Sequence, residues 1–210
     1  LFQQTPGPND LLALQSHPNL SFTTLDTGQV TSVYFNLNLP LFQDRGVRQA
    51  LLYAVDRDAL VKDVLGGNAV RTDSPLSPAN WAYSPALTRY QPDAHQAGLL
   101  LDDAGWKLTD GGVRFKDGKP LAFKLSTSTD PVHLAVAQTL AAAWNSIGAQ
   151  VSVEAVGETD LVRSVLEPRN YEAVLFTQQD GSDPDPYPEW HSSEATSSGG
   201  NIGAWRDPRV

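Results

Sequence analysis

The stretch LAFKLSTSTDPVHLAVAQTLAAAWNSIGAQVSV, residues 121–153, decides the fold class. Apolar and polar residues alternate over 121–126, which predicts a half-buried β-strand. Apolar residues then recur at helical spacing over 132–147, and Gly148 follows as a helix stop. Alternation resumes over 151–153 and predicts a second strand. This order of strand, helix and strand is typical of an α/β layer with helices packed on a sheet.

The flanking sequence extends this succession of strands and helices. Asp44 and Asp56 each precede an apolar stripe at helical spacing, so we expect two capped helices, the second ended by Gly66-Gly67. Asp117-Gly118 predicts a hairpin between strand 113–116 and the strand that starts at Leu121. The other predicted elements are strands 20–25, 31–37 and 173–176, helices 10–14, 92–104 and 159–166, and a proline-rich loop over 73–92 whose aromatic residues pack down.

Composition excludes several classes of function. The chain has 210 residues, a formal net charge of -9 and no cysteine. Nucleic-acid binding needs clustered Lys and Arg, and no basic stripe occurs. The lack of cysteine excludes disulfides, zinc-thiolate sites and thiol nucleophiles. No apolar run approaches the roughly 18 to 20 residues of a membrane-spanning helix.

Motifs of catalysis and metal binding are also missing. No P-loop, dinucleotide fingerprint, G-x-S-x-G or H-E-x-x-H occurs, and the four histidines form no i, i+4 pair. An acidic cluster at Asp180, Asp183, Asp185 and Glu189 leaves two alternatives, a carboxylate pair or an oxygen-ligand calcium site. The spacing of the cluster does not match an EF-hand, so we expect no catalytic residue, no metal and no cofactor.

Several segments carry family-specific motifs. NLNLPLFQD at 36–44 is followed by VRQAL at 47–51 and YAVDR at 53–57. The further motifs are the loop from Gly66 to Pro78, PDAHQAGLLLDDAGW at 92–106, WNSIGAQV at 144–151, DGSDP at 180–184, Asn201 and RDP at 206–208. In order and spacing they resemble the family 5 extracellular solute-binding proteins, the receptors of peptide, nickel and related ABC importers.

The resemblance implies an α/β fold that is one lobe of a two-lobe, type II periplasmic-binding-protein architecture, with a mixed sheet flanked by helices. Residues 1–30 are then expected to be a flank leading from the first lobe. Residues 31–210 are expected to be the C-terminal ligand-binding lobe, truncated before the segment that returns to the first lobe.

The implied function is the capture of an oligopeptide or similar solute in the cleft between two lobes, followed by delivery to the permease subunits of an ABC importer. The resemblance therefore implies an extracytoplasmic binding protein, periplasmic or lipid-anchored, and not an enzyme. Such a protein contacts the membrane only through a lipid anchor or through the permease. We also expect it to be a monomer that binds no nucleic acid.

The resemblance also implies site residues. In peptide-binding members an Asp of the D-x-x-D-P turn pairs with the α-amino group of the peptide, and Asp180 occupies that position, while Asp183 shapes the turn. Thr177 and Gln178 leave the preceding strand at its carboxyl end, where open α/β folds place ligand contacts. Thr127 and Thr129 lie in the segment where dipeptide receptors carry an arginine that grips the peptide carboxylate.

Departures from the family pattern leave the solute open. Residues 126–129 are Ser-Thr-Ser-Thr with no arginine, and Val156 stands where peptide receptors tend to have a tryptophan. A longer peptide or a neutral, hydroxyl-rich solute such as an oligosaccharide suits this segment. Trp81, Tyr83 and Trp205 are alternative stacking residues for such a solute. A solute-sensing domain of a regulator is a further alternative, because this type of domain is also found fused to DNA-binding regions.

Overall fold

A mixed four-stranded sheet forms the centre of the molecule. The computed structural model describes residues 13–14, 16–21, 27–179, 183, 185–196 and 198–207. The strand order is β1-β7-β5-β6, with β1 at Gln29–Phe35, β5 at Ala122–Ser128, β6 at Gln150–Val156 and β7 at Ala173–Gln179. Strand β5 runs parallel to both of its neighbours, whereas β1 is antiparallel to β7.

Helices connect these strands. The longest of those described is α5 (Pro131–Ser146). Its first turn is capped by the Asp130 carboxylate, which accepts hydrogen bonds from Val132 N at 2.9 Å and His133 N at 3.0 Å. The helices are α1 (Pro40–Gln43), α2 (Arg45–Tyr53), α3 (Arg57–Ala59), α4 (Ala94–Asp103), α5 (Pro131–Ser146), α6 (Glu158–Asp160) and α7 (Tyr187–Trp190). The predicted helices after Asp56 and around 159–166 are single α-helical turns, α3 and α6, that continue as π-helical turns over Leu60–Val64 and Leu161–Leu166.

The predicted helix signals at Asp44, Asp56 and Gly66-Gly67 are confirmed. Asp44 Oδ1 accepts a hydrogen bond from Gly46 N at 2.7 Å, and Asp56 Oδ1 accepts one from Ala59 N at 2.9 Å. Each carboxylate satisfies an N–H group that has no partner within its own helix. Gly66 and Gly67 have φ angles of 59° and 76°, the left-handed conformation that ends a helix.

The main core lies between the sheet and helices α2 and α5. Phe42 and Phe123 are buried there, and their rings pack edge to face with 5.2 Å between the ring centroids. Trp144 on α5 donates from Nε1 to the Leu51 carbonyl oxygen on α2 at 2.9 Å, so the buried indole N–H is satisfied. A smaller cluster covers the opposite face of the sheet and comprises Leu161, Val165, Leu166, Tyr171 and Val174.

The hairpin prediction at Asp117-Gly118 is right about the turn and wrong about the second strand. Strand β3 (Arg114–Lys116) is the middle strand of a separate three-stranded antiparallel sheet, where it pairs with β2 (Lys107–Leu108) on one side and with the two-residue strand β4 (Lys119–Pro120) on the other. The chain passes from the small sheet to the main sheet at Leu121. The Leu121 N–H donates to Arg114 O of β3, and the Leu121 carbonyl oxygen accepts from Gln150 N of β6, both at 2.8 Å. The strand from Ala122 onward therefore belongs to the main sheet, where burial of Leu125 under α5 outweighs continued pairing with β3.

The long loop between α3 and α4 is held by an ion cluster. Arg57 Nη2 lies 2.5 Å from Asp73 Oδ1, and Arg71 Nη2 lies 3.4 Å from the same oxygen. The ring of Tyr90 packs against that of Tyr53 with 5.2 Å between the ring centroids. This agrees with the expectation that the aromatic residues of this loop pack against the rest of the protein. The expectation is wrong for Trp81, which is 79% exposed.

The N-terminal predictions fall largely outside the described residues. Residues 10–12 of the predicted first helix and residues 22–25 of the predicted strand 20–25 are not described, whereas Ala13 and Leu14 are helical and Leu20 and Ser21 are not in a strand. Strand β1 begins at Gln29, two residues before the predicted start. Across the described ranges, none of the helices is both long and apolar enough to cross a membrane.

Candidate ligand-binding site

Polar side chains collect at one edge of the main sheet. Strands β5 and β7 are parallel, so their carboxyl ends share this edge, and antiparallel β1 begins there. The pairing register sets Thr31 of β1 directly opposite Thr177 of β7. Helix α5 starts three residues after β5 ends, which brings its N-terminal turn to the same edge. Ligand sites of open α/β folds lie outside the carboxyl ends of the strands, and this edge is therefore the candidate site.

A continuous chain of hydrogen bonds crosses this edge, and we call it the hydroxyl–imidazole chain. The ring of His133, in the first turn of α5, contacts Ser128 Oγ through Nδ1 at 2.8 Å and Thr177 Oγ1 through Nε2 at 3.0 Å. Thr177 Oγ1 in turn lies 2.8 Å from Thr31 Oγ1. Four side chains from three strands and one helix are thereby fixed relative to one another.

The hydroxyl–imidazole chain forms one wall of a cleft of about 410 Å³. Glu158 at the start of α6 contributes its only lining carboxylate among the described residues, and none of the described lining residues is Lys or Arg. The lining residues are Gln29, Thr31, Ser128, His133, Glu158, Leu161, Val162, Leu175, Phe176 and Thr177. The cleft thus combines an apolar floor with a few converging polar groups, as small-molecule sites commonly do.

Thr177 and Gln178 point to opposite faces of β7, as alternation in a strand requires. Thr177 faces the cleft and takes part in the hydroxyl–imidazole chain. Gln178 lies on the other face, where its side-chain oxygen accepts a hydrogen bond from the Tyr34 hydroxyl. Tyr34 packs in turn near Trp190 of α7, with 6.5 Å between ring centroids.

Thr127 and Thr129 have contrasting surroundings. Thr127 is 0% exposed, and its Oγ1 has no hydrogen-bond partner among the residues that the structure describes. It shares the face of β5 that carries Leu125, and this face is buried under α5. Thr129 is exposed, and its backbone N–H donates to Val156 O at 2.9 Å. Neither threonine lines the cleft as the described residues define it.

Asp180, the predicted amine anchor, lies outside the described residues. It directly follows Gln179, the last residue of β7, which ends at the same edge as the cleft. Of the acidic cluster, Asp183, Asp185 and Glu189 are described, and Asp185 Oδ1 accepts from Tyr187 N at 3.0 Å as a cap of its own turn. Within the described ranges, no three His, Cys, Asp or Glu side chains are grouped so that they would hold a metal ion.

Sequence reasoning missed Thr31, Ser128, His133 and Glu158 as lining residues. The signal for His133 was its place in the first turn of a helix that directly follows a parallel strand. Ser128 was passed over in favour of Thr127 and Thr129, although strand alternation makes residue 128 point away from the face on which 127 lies. Thr31 is 146 residues from Thr177, so only the sheet pairing brings the two together.

The fold and the polar edge together define one lobe of a type II periplasmic-binding-protein architecture, as predicted. The structure of the oligopeptide-binding protein AppA from Bacillus subtilis, solved with a nonapeptide, superposes with a TM-score of 0.88 at 29% identity. NikZ from Campylobacter jejuni, solved with Ni(L-His), superposes with a TM-score of 0.81 at 27% identity. In both cases the match covers 96% of this chain and 41% of the other.

The chain belongs to the bacterial extracellular solute-binding proteins of family 5. The sequence profile described as "Bacterial extracellular solute-binding proteins, family 5 Middle" matches residues 2–199. Among curated sequences, AppA of Bacillus subtilis (strain 168) is 30% identical over 190 residues, which is 88% of this chain and 35% of the relative. The resemblance found in the motifs is thereby confirmed, and the chain spans about a third of the length of that relative.

Proposed function

We propose that the complete protein is the solute-binding component of an ABC importer and captures an oligopeptide in the cleft between two lobes. The observation that carries the proposal is the polar cleft at the carboxyl ends of β5 and β7, in a chain that belongs to a solute-binding family. AppA, similar over 96% of this chain, is an oligopeptide-binding protein solved with a nonapeptide. Non-covalent capture needs no catalytic residue and no cofactor, and we assign neither.

Residues 31–210 form the C-terminal lobe in this proposal, and residues 1–30 lead from the other lobe. Closure of the two lobes on a ligand stabilises the closed state by differential affinity, and the closed receptor delivers its solute to the permease subunits. The receptor acts as a monomer outside the cell membrane, either free in the periplasm or held by a lipid anchor.

Asp180 is proposed to pair with the α-amino group of the peptide, because a buried ammonium is costly unless a carboxylate neutralises it. In the sequence it directly follows Gln179, the last residue of β7, and this supports the proposed role. Thr177 contributes its hydroxyl from the cleft wall. Gln178 and Thr129 stay proposed ligand contacts, although neither is among the described residues that line the cleft. Thr127 can contact ligand only if the segment that buries it moves. Thr31, Ser128 and His133 join the proposed ligand contacts on geometric grounds.

The proposal is tested on the complete receptor. Native mass spectrometry of the protein as purified should show added masses that match a spread of short peptides. Calorimetry with those peptides should then show that Asp180→Ala costs on the order of 2 to 5 kcal/mol of binding free energy, since the ammonium loses its partner. Asp110→Asn is the matched control, because it also removes one carboxylate, from the exposed loop between β2 and β3 of the three-stranded sheet.

A second candidate solute is a neutral oligosaccharide. It is favoured by the three hydroxyl groups of the cleft wall and by the absence of Lys and Arg among the described lining residues. A single added mass matching a sugar, with no effect of Asp180→Ala on affinity, would replace the peptide assignment by this one.

A further inference from the structure

Each ring nitrogen of His133 faces a hydroxyl group. Nδ1 faces Ser128 Oγ at 2.8 Å, and Nε2 faces Thr177 Oγ1 at 3.0 Å. A hydroxyl can donate a hydrogen bond or accept one, so the arrangement is compatible with a proton on either nitrogen. At the far ends of the hydroxyl–imidazole chain, Thr31 Oγ1 and Ser128 Oγ both line the cleft. Neither has another acceptor for its proton among the described residues.

With the proton on Nε2, the donors run in one direction. Nε2–H donates to Thr177, Thr177 donates to Thr31, and the Thr31 hydroxyl proton is left to point into the cleft. Ser128 must donate to the bare Nδ1, while its oxygen also accepts from Asp130 N at 3.3 Å. The cleft then meets a donor at Thr31 and no free donor at Ser128.

With the proton on Nδ1, every donor reverses. Ser128 accepts from the ring, so its own proton is free to point into the cleft, whereas Thr31 donates to Thr177 and offers only lone pairs. Protonation of both nitrogens gives a third state, because the ring then donates to both hydroxyls. Ser128 and Thr31 would both present donors to the cleft in that state.

We propose that the hydroxyl–imidazole chain is a specificity element of reversible polarity. It rests on the proposed function, and it assigns to this wall ligands that carry both N–H and C=O groups, as peptide backbones do. A ligand carbonyl opposite Thr31 selects the Nε2–H tautomer, and a ligand N–H at the same place selects the Nδ1–H tautomer. When both ring nitrogens carry protons, both ends of the chain donate and the wall favours anionic oxygens.

The charged groups that face His133 from its neighbouring elements are few in the part of the chain that is described. On its own element, Asp130 caps α5 and accepts from the backbone N–H of His133. From α6, Glu158 lines the same cleft, while the π-helical turn after it contributes the apolar Leu161 and Val162. Strands β1, β5 and β7 contribute only neutral groups to the described lining, and Asp180 falls outside the described residues.

A measurement without ligand tests the coupling along the chain. Side-chain ¹⁵N spectra of histidine-labelled complete receptor, assigned with His133→Gln, report the tautomer ratio of His133. Thr31→Val does not touch the ring, but it removes the acceptor of the Thr177 proton in the Nε2–H state. An unpaired donor costs more than an unused lone pair, so the ratio should shift toward Nδ1–H by roughly fivefold, the effect of about one hydrogen bond.

Thr88→Val, the same change at an exposed loop position, should leave the tautomer ratio as in the wild type. An unchanged ratio in Thr31→Val would overturn the inference, whatever the solute proves to be. This outcome does not depend on peptide binding, so it is separate from any failure of the proposed function.

A second measurement tests the consequence for ligands. Calorimetry compares trialanine with trialanine amide at pH 7.5 and pH 5.5 on the complete receptor. The preference for the carboxylate over the amide should increase at the lower pH in the wild type and should not change with pH in His133→Gln. An equal increase in His133→Gln would overturn the inference that a ring with protons on both nitrogens makes the wall favour anionic oxygens. If neither peptide bound at either pH, the proposed function would fall, and the tautomer ratio would still decide the inference.

Discussion

Replacement of Thr127 by valine should stabilise the protein. Thr127 is 0% exposed, and its hydroxyl has no partner among the described residues, although a buried unpaired polar group costs about 1–3 kcal/mol. Valine has nearly the same shape and puts a methyl group where the hydroxyl was. It also suits a strand, since it is branched at Cβ. We therefore expect the free energy of unfolding to increase by about 1–2 kcal/mol.

Urea unfolding followed by tryptophan fluorescence measures this change, and a thermal scan should show the midpoint rising by about 3 °C per kcal/mol. Thr88→Val, an exposed control, should stay within about 0.5 kcal/mol of the wild type. A loss of stability in Thr127→Val would refute the reasoning, because it would show that the hydroxyl has a partner in the folded protein. Unchanged peptide affinity in the same variant would remove Thr127 from the proposed ligand contacts.

Three further substitutions or conditions test the framework around the site. Gly148→Ala should cost about 1–3 kcal/mol in urea unfolding, because Gly148 has φ 97° and a Cβ there would lie 2.8 Å from Arg114 Cγ; equal stability would contradict the geometry. Asn201→Ala should cost about 2–3 kcal/mol in the same assay, because this residue is 1% exposed and both donates to Trp205 O and accepts from Trp205 N. Burial alone would raise the pKa of Asp73, but hydrogen bonds and charge from Arg57 and Arg71 outweigh it and hold the pKa below its ordinary value. The stability from this cluster is therefore fully present above the ordinary carboxyl pKa of about 3.9 and is lost as the pH falls below it. In a pH series of unfolding midpoints, Asp73→Asn should therefore lose less stability at acid pH than the wild type does.

Local signals predicted much of the fold because they act over a few residues. Asp44 and Asp56 cap helices as expected. Of the apolar stripe over 132–147, Val136, Leu140, Trp144 and Ile147 are buried, whereas Val132 at its start is exposed. The hairpin partner was mispredicted because the local turn signal says nothing about a competing sheet. Leu121 leaves β3 since its strand gains more by pairing with β6 and packing under α5.

The candidate site was predicted less completely because it is assembled from distant segments. Thr177 was found from its place at a strand end, and its partner Thr31 depends on antiparallel pairing that no short-range pattern shows. His133 was considered only as a metal ligand, whereas its surroundings are two hydroxyl groups. The roles of Thr177, Gln178, Thr127, Thr129 and Asp180 as ligand contacts remain predictions.

The pairing of β1 with β7 has a consequence for how the chain folds. The unit β5-α5-β6 can close locally, since its strands are joined by one helix, whereas Thr31 must find Thr177 across 146 residues. The entropy of closing so long a loop places this step late in folding. Until β1 docks, β7 presents a bare strand edge with apolar residues such as Leu175 beside it, a template for association with a second chain. The yield of refolding should therefore fall with protein concentration, and a substitution that weakens β1, such as Val33→Asp, should make that dependence steeper.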